Sequence, residues 1–159
     1  EHPEMKLVIA PHVVSDSHLK EILEKVKRPC VRYTEATEEN VSKADCLVID
    51  CYGLLSSIYR YGEISYIGGG FGVGIHNVLE AAVYGIPVIF GPNNKKFREA
   101  QHLLEKKGGF EITNDEEFKQ LMDKFLTDKA YLQQAGKAAG DYVSDNAGAL
   151  EKIMKHISF

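Results

Sequence analysis

The sequence predicts an α/β protein in which a doubly wound parallel sheet of about six strands lies between two layers of helices. Short apolar runs bounded by Gly or Pro alternate with longer segments of helical periodicity. These runs are apolar throughout, as in strands that are covered on both faces. Because no repeat or linker interrupts the pattern, residues 1–159 are expected to form a single domain with extra C-terminal helices.

The first third of the chain predicts three strands, at residues 6–10, 31–34 and 46–50. Residues 35–43 are polar and are expected to form a loop. After the first strand, Ser15 or Asp16 can cap a helix with an apolar stripe made of Leu19, Ile22, Leu23 and Val26. A helix of about two turns is expected after the third strand, with inward side chains at Leu54, Leu55, Ile58 and Tyr59.

The middle of the chain predicts two strands, at residues 66–67 and 87–90, joined by a glycine-rich loop and a helix. Five of the seven positions from 68 to 74 are Gly, so the backbone can adopt positive φ and a ligand can approach it closely. A helix that starts near His76 or Asn77 would point its first N–H groups into this loop. The pattern favours an anion-binding site, although glycines used only for tight packing are the alternative. The helix is expected to end at Gly85, with inward residues Leu79, Ala82 and Val83.

Two common phosphate-binding motifs are excluded. The dinucleotide fingerprint G-x-G-x-x-G, read from Gly70, would need Gly at the position of Ile75. No G-x-x-x-x-G-K-[ST] sequence occurs in the chain, so it contains no P-loop motif.

The last third predicts a helix over residues 95–107, a strand over 110–113 and two or more helices. The first of these helices has Phe97, Ala100 and Leu104 on its inner face. Asn114, with Glu117 three residues later, resembles a capping box for the next helix, whose apolar face is Phe118, Leu121, Met122 and Phe125. The chain from 128 onward is predicted to be helical, with a weak point at 144–148. A final apolar stripe is expected to cover the sheet: Leu150, Ile153, Met154 and Ile157.

Composition argues for a soluble protein in the cytoplasm. The formal net charge is -4 and the basic residues are scattered, which argues against a nucleic-acid surface. No apolar run approaches the roughly 20 residues of a membrane span, and the N-terminus lacks a secretory signal. Cys30, Cys46 and Cys51 have no zinc-site spacing, so they are expected to be reduced and buried, with no metal.

Several polar residues follow the predicted strands, where ligands bind in such sheets. Glu80 is expected to be partly buried. Its carboxylate can then accept hydrogen bonds from the two hydroxyl groups of a ribose. Asn77 can contact a phosphate or only cap the helix. Lys95, Lys96 and Arg98 can face a phosphate, a second domain or solvent. Because neither His76 nor Glu80 has an evident partner carboxylate or nucleophile, the edge is predicted to bind a ligand rather than cleave it.

Two motifs point to a family. The run G-G-x₄-G-x-H-N-x-L-E-A-A, followed by G-I-P-V-x-x-G-P-x-x-x-K-F, resembles the donor-binding half of the 3-deoxy-D-manno-octulosonic acid (Kdo) transferases. These enzymes have the GT-B glycosyltransferase fold, with two Rossmann-like domains, and the resemblance covers most of the chain. It implies CMP-Kdo as substrate, no cofactor, and transfer of Kdo to a lipid A precursor in lipopolysaccharide biosynthesis at the cytoplasmic face of the bacterial inner membrane.

The resemblance also implies donor-binding residues at matching positions. They are Pro11, His12, Tyr52, Gly53, Leu54, Gly69, Gly70, Gly74, His76, Asn77, Leu79 and Glu80. Three positions depart from the family pattern: the Arg usual after Pro11 is absent, Leu54 stands where Glu is frequent, and Gly70 replaces a common Ser. These departures bear on donor affinity rather than on the fold.

The resemblance further implies that this sequence is the C-terminal half of a GT-B enzyme, without the N-terminal acceptor domain that carries the catalytic base. We therefore expect the isolated domain to bind nucleotide weakly and to transfer nothing. Two alternatives remain open. One is the donor domain of a UDP-sugar-dependent GT-B transferase or epimerase, and the other is a non-catalytic nucleotide-binding or protein-interaction module.

Overall fold

The computed structural model describes residues 2–148, which fall into two compact units. The first unit ends at Ser57 and the second begins at Ile58. The single domain expected from the length of the chain stays a prediction. The predicted final stripe of Leu150, Ile153, Met154 and Ile157 lies outside the described residues.

Short strands alternate with helices, as the sequence predicts. The first unit contains β1 (Leu7–Ile9), α1 (Asp16–Lys25), β2 (Cys30–Arg32), α2 (Glu38–Val41), β3 (Cys46–Val48) and the start of α3 (Leu55–Ile58). The second contains β4 (Ser65–Ile67), α4 (Leu79–Ala82), β5 (Val88–Phe90), α5 (Arg98–Lys106), β6 (Gly109–Glu111), α6 (Asp115–Thr127) and α7 (Lys129–Asn146).

The first unit is built on a parallel sheet of order β1-β3-β2. Its centre is β3, where Cys46 and Val48 are buried and pack with Leu19 of α1. The Ser15 side chain caps α1, as predicted, by accepting a hydrogen bond from the His18 N–H. The prediction of a fully buried first strand is wrong, because β1 lies at the edge of this sheet and two of its apolar residues, Leu7 and Val8, are exposed.

The second unit is built on a parallel sheet of order β4-β5-β6. All three residues of its central strand, Val88, Ile89 and Phe90, are fully buried. The helices α4, α5 and α7 contribute small and branched side chains to the same core, among them Ala81, Ala82, Ala100, Leu103 and Ala139. The core of this unit therefore surrounds the strand that follows the predicted site helix.

The predicted α/β class with parallel strands is confirmed, but the predicted single sheet of about six strands is not. Within residues 2–148 the strand pairing gives two sheets of three strands each. Every strand forms its backbone hydrogen bonds inside its own unit. An apolar run identifies a strand but not its neighbour, so the sequence pattern did not reveal this division.

Three local predictions in the first two thirds of the chain are wrong. The polar segment 35–43 is not a loop, because Thr37 and Asn40 form a capping box that starts α2. Leu55 and Val83 were expected to face inward and are instead 41% and 56% exposed. The exposure of Leu55 and Val83 has the same cause. Helices α3 and α4 span only four residues each, about one turn, so the periodic spacing that predicted an inner face does not extend to these two residues.

The C-terminal helices agree with the sequence except at Phe118, which was predicted on the apolar face of α6 and is exposed. Asn114 caps α6 by accepting a hydrogen bond from the Glu117 N–H at 2.9 Å. The Glu117 carboxylate accepts a hydrogen bond from the Thr113 N–H at 2.7 Å, rather than from the Asn114 N–H that a capping box would use. Helix α7 ends at Asn146, within the predicted weak point, and Gly148 has positive φ.

Candidate functional site

The glycine loop lies in the second unit, directly after the carboxyl end of β4. Gly69 has φ +88° and Gly74 has φ +144°, a region that other residues rarely adopt. The Gly69 carbonyl accepts hydrogen bonds from the N–H groups of Gly72 at 2.9 Å and Gly74 at 3.2 Å. A Cβ on Gly69 would lie 2.2 Å from the Gly74 oxygen, so this tight turn requires glycine at position 69.

The loop that follows β5 packs against the glycine loop. The Asn93 N–H donates to the Gly70 carbonyl at 2.9 Å, and the Asn93 side-chain amide donates to the Gly72 carbonyl at 2.6 Å. The Phe97 ring lies 3.0 Å from the position that a Cβ on Gly74 would occupy. The two loops therefore form one surface at the carboxyl ends of β4 and β5, as predicted for this pair of strands.

The motif residues His76 to Glu80 follow the glycine loop. The Asn77 Oδ1 accepts a hydrogen bond from the Leu79 N–H at 3.0 Å, and its Nδ2 donates to the Glu80 carboxylate at 3.1 Å. The exposed His76 donates its backbone N–H to the Gly68 carbonyl at 3.1 Å. The Asn77 side chain therefore fixes the backbone at the start of α4 and holds the Glu80 carboxylate, while its contact with a phosphate stays a prediction.

The predicted start of the helix at this site is wrong. Helix α4 begins at Leu79 rather than at His76 or Asn77, and it contains only four residues. So short a helix carries little dipole. Leu79 is half-buried and packs against the core. Any anion selectivity here must therefore come from the N–H groups of the glycine loop and from the polar side chains of the motif.

Glu80 is half-buried, as expected from its position, and it has a neighbour that sequence reasoning missed. Burial, together with the negative charge of Glu80, raises the pKa of the Tyr59 hydroxyl. Tyr59 was predicted only as a core residue, and its ring does pack against the core of the second unit.

Five other predicted donor-binding residues lie in the first unit, after β1 and β3 at the carboxyl end of its sheet. The N–H of Val14 donates to the Tyr52 hydroxyl at 3.4 Å, which links the segment after β1 to the segment after β3. Gly53 has φ +91° with open space around it. His12, Tyr52 and Gly53 are exposed, whereas Pro11 and Leu54 are half-buried. Their role in donor binding stays a prediction.

A buried carboxylate, Asp50, lies two residues after β3 in the first unit. It accepts hydrogen bonds from Arg32 Nε at 2.8 Å, from the Thr34 N–H at 2.9 Å and from the Thr34 hydroxyl at 2.5 Å. Burial alone would raise the pKa of Asp50, but the hydrogen bonds from Thr34 and Arg32 outweigh it and hold the pKa below its ordinary value. Asp50 therefore fixes the end of β2 to the end of β3.

A buried amide, Asn94, was also missed. Its Nδ2 donates to the Gly91 carbonyl at 2.9 Å and to the Glu111 carboxylate at 2.5 Å. Its Oδ1 accepts from the Gln101 amide at 2.6 Å. Asn94 is fully buried, so it anchors the loop after β5 to β6 and α5. No spacing rule distinguishes Asn94 from the exposed Asn93, so only its burial reveals this role.

The basic residues expected at the start of a helix are arranged differently from the prediction. Lys95 and Lys96 are exposed in the turn before α5, and Arg98 is the first residue of that helix. The predicted helix start at Lys95 is therefore wrong by three residues. The two lysines belong to the loop that contacts the glycine loop through Asn93.

The three cysteines are free thiols. Cys46 is buried, as predicted, while Cys30 and Cys51 are half-buried. Burial and the adjacent Cys30 thiol raise the pKa of Cys46 to about 12, which leaves it protonated and unreactive at neutral pH. The described residues contain no cluster of three or more His, Cys, Asp or Glu side chains that could hold a metal ion.

None of the helices between residues 2 and 148 is long and apolar enough to cross a bilayer.

These features define a parallel α/β protein with a glycine loop and an Asn77–Glu80 pair at the carboxyl ends of its strands. In sequence, 136 residues of the chain are 32% identical to a 3-deoxy-D-manno-octulosonic acid transferase of Aquifex aeolicus, covering 84% of this chain and 37% of that protein. A transferase of the same name from Rickettsia felis is 28% identical over 88% of this chain and 31% of its own length. The predicted resemblance is therefore confirmed: the chain is a relative of the Kdo transferases.

A solved structure has the same fold. The C-terminal CMP-Kdo binding domain of WaaA from Acinetobacter baumannii matches this chain with a TM-score of 0.71 and 15% identity, covering 89% of this chain and 90% of that one. No family model matches the sequence. The chain spans about a third of the length of the two transferases, 37% and 31%.

Proposed function

We propose that this chain is the donor-binding domain of a Kdo transferase and that it binds CMP-Kdo. The observation that carries this proposal is the glycine loop followed by the His76-Asn77-x-Leu79-Glu80 motif, in a chain whose relatives are named Kdo transferases. The fold supports it, because a domain with the same architecture is described as binding CMP-Kdo.

Glu80 is the proposed ribose contact. Its carboxylate is half-buried and held by the Asn77 amide at 3.1 Å, which leaves further lone pairs to accept hydrogen bonds from a vicinal diol. Hydrogen bonds to a charged acceptor contribute roughly 1.5–3 kcal/mol each. His76 and the N–H groups around Gly69, Gly70 and Gly74 are the proposed phosphate contacts.

The remaining parts of the reaction belong to the whole enzyme. We propose that a second, N-terminal domain binds the lipid A precursor and supplies the catalytic base, and that the enzyme acts at the cytoplasmic face of the bacterial inner membrane. The proposal includes no metal or cofactor, and CMP-Kdo is the activated substrate. The 159-residue chain alone is accordingly expected to bind nucleotide without transferring sugar.

The test is a titration of the isotope-labelled chain with CMP and, separately, with UDP, to about 5 mM, the range in which weak nucleotide binding is measurable. Amide shifts of residues 69–80 report binding. We expect these shifts to be larger with CMP and to disappear in Glu80→Ala. Glu105→Ala removes an exposed carboxylate from the last turns of α5 and serves as the matched control.

The outcomes separate the candidates. A preference for UDP would instead indicate the donor domain of a UDP-sugar-dependent transferase or epimerase. Shifts that persist in Glu80→Ala would remove the ribose role of Glu80 while leaving a nucleotide site. An absence of shifts with both nucleotides would contradict binding by this chain alone, and would mean either that the second domain is needed or that the glycine loop serves packing alone.

A further inference from the structure

Two carbonyl groups of the glycine loop are bound by one residue of the neighbouring loop. The Asn93 N–H donates to the Gly70 oxygen at 2.9 Å, and the Asn93 Nδ2 donates to the Gly72 oxygen at 2.6 Å. Asn93 is exposed, so its two hydrogen bonds do not serve to bury a polar side chain. Their consequence is instead a fixed orientation of two peptide groups in the glycine loop.

That orientation determines where the N–H groups point. In a trans peptide unit the C=O and the following N–H point in opposite directions, and every described peptide bond is trans. Since the carbonyls of Gly70 and Gly72 point toward Asn93, the N–H groups of Phe71 and Val73 point away from it. Neither N–H has a hydrogen-bond acceptor within residues 2–148.

The alternate N–H groups of the loop are used differently. Those of Gly72 and Gly74 donate to the Gly69 carbonyl and close the turn. The loop therefore has one set of N–H groups directed inward and another, at Phe71 and Val73, directed outward. Outward backbone N–H groups on one side of a turn favour an anion. The side chains of both residues are exposed, 57% and 102%, so neither is packed into the core.

We propose that Asn93 is a positioning residue for the donor, because it holds the N–H groups of Phe71 and Val73 toward the phosphate of the bound nucleotide. This inference rests on the proposed function. Gly70 and Gly72 begin the two peptide units concerned, and glycine offers little resistance to rotation of a peptide plane. Without the Asn93 side chain, the Gly72 carbonyl can turn toward the ligand, where it would repel a phosphate, whereas the Gly70 carbonyl keeps its bond to the backbone N–H of residue 93.

The test compares CMP with cytidine, which lacks the phosphate, in the wild-type chain, in Asn93→Ala and in Asn93→Asp. The alanine variant loses the bond to Gly72, while the aspartate places a carboxylate against that carbonyl. We expect Asn93→Ala to bind CMP about five- to tenfold more weakly, because one hydrogen bond that orients the loop toward the ligand is lost. The affinity for cytidine should be unchanged. Asn93→Asp should weaken CMP binding further. Faster hydrogen exchange of the Gly74 amide in the unliganded variants would report loosening of the loop.

The control is Asn114→Ala, which removes another asparagine, the cap of α6. It should lower the stability of the chain and leave CMP affinity unchanged. Equal loss of CMP and cytidine binding in Asn93→Ala, or wild-type affinity for both, would overturn the positioning role. If the wild-type chain binds neither ligand, the proposed function fails and the donor role of Asn93 fails with it. Gly74 exchange in the unliganded proteins then shows separately whether Asn93 holds the loop.

Discussion

The backbones of Gly70 and Gly91 are in direct contact. A Cβ on Gly70 would lie 2.6 Å from the Gly91 nitrogen, and a Cβ on Gly91 would lie 2.7 Å from the Gly70 carbonyl carbon. Both glycines follow neighbouring strands, β4 and β5, whose last residues Ile67 and Phe90 are paired. The contact brings the loops together closely enough for Asn93 to reach the carbonyls of the glycine loop.

The first prediction is that any side chain at position 70 separates the two loops. Gly70→Ala and Gly70→Ser should each lower the free energy of unfolding by about 1–3 kcal/mol, the usual cost of overpacking. Serine is the informative substitution, since the resemblance places a common Ser at this position. Denaturant unfolding of the 159-residue chain measures the effect.

Gly72→Ala is the matched control for this prediction. A Cβ at position 72 would meet only the Gly69 oxygen at 3.6 Å, an ordinary contact. Its stability should lie close to wild type. A Gly70→Ser variant as stable as the wild-type chain would show that the loops can separate without cost.

The features that could be predicted from the sequence depend on local chemistry. The side chains of Ser15 and Asn114 cap helices at the expected positions, and Gly85 has positive φ just after α4. The glycine loop lies after its strand, as the apolar run before it indicated. In each case the signal is carried by residues within a few positions of one another, which is the range of caps and turns.

The features that could not be predicted depend on distant parts of the chain. Asp50 and Asn94 are buried polar residues whose partners lie 16 to 18 and 3 to 17 positions away. The division of six strands between two sheets is likewise a matter of pairing between segments. Composition reveals polar residue types but not which of them lose contact with water, so Asp50 was predicted only as the end of a strand and Asn94 only as part of a loop.

The second prediction concerns the Asn94 amide. Asn94→Asp would place an acceptor against the Gly91 carbonyl and a second carboxylate against Glu111, which now accepts from Asn94 at 2.5 Å. We expect a loss of about 2–4 kcal/mol in unfolding free energy at pH 7, because the buried carboxylate would face two acceptors with only the Gln101 amide as a donor.

Glu111→Gln tests the electrostatic part of this effect by a double-mutant cycle. Combined with Asn94→Asp, it restores a donor opposite the new carboxylate, so the double variant should recover about 1 kcal/mol or more relative to Asn94→Asp alone. Strict additivity of the two substitutions in urea unfolding would mean that Asn94 and Glu111 do not interact.

The third prediction concerns the close packing of α7 against the turn after α4. A Cβ on Gly136 would lie 2.3 Å from the Gly85 oxygen, whereas a Cβ on Gly140 would be 3.2 Å from the Gly85 Cα. Alanine favours a helix over glycine by roughly 1 kcal/mol at both sites. Gly136→Ala should nevertheless lower the thermal midpoint, and Gly140→Ala should have a much smaller effect. The same shift in both variants would contradict the contact between α7 and Gly85.

The fourth prediction is a pH dependence that originates at Asp50. Hydrogen bonds from Thr34 and Arg32 hold its pKa below the ordinary value near 3.8. A lowered pKa in the folded state means that the stability contributed by Asp50 is present above pH 4 and is lost as the pH falls through the folded-state value. Asp50→Asn should therefore destabilise the chain by about 2–4 kcal/mol at pH 7, since it leaves the Arg32 guanidinium without its buried partner.

The measurement is urea unfolding of the wild-type chain and Asp50→Asn between pH 7 and pH 2.5. The difference in unfolding free energy should stay constant down to about pH 4 and narrow below it, because protonation removes the same charge from wild-type Asp50 that the substitution removes. Asp141→Asn removes a carboxylate that pairs with Lys137 on the surface of α7, where one exposed ion pair contributes less than about 1 kcal/mol. The difference in unfolding free energy between wild type and Asp50→Asn could instead be as large at pH 2.5 as at pH 7. The ionised carboxylate would then not be what joins β2 to β3, and packing of the side chain would have to explain the lost stability.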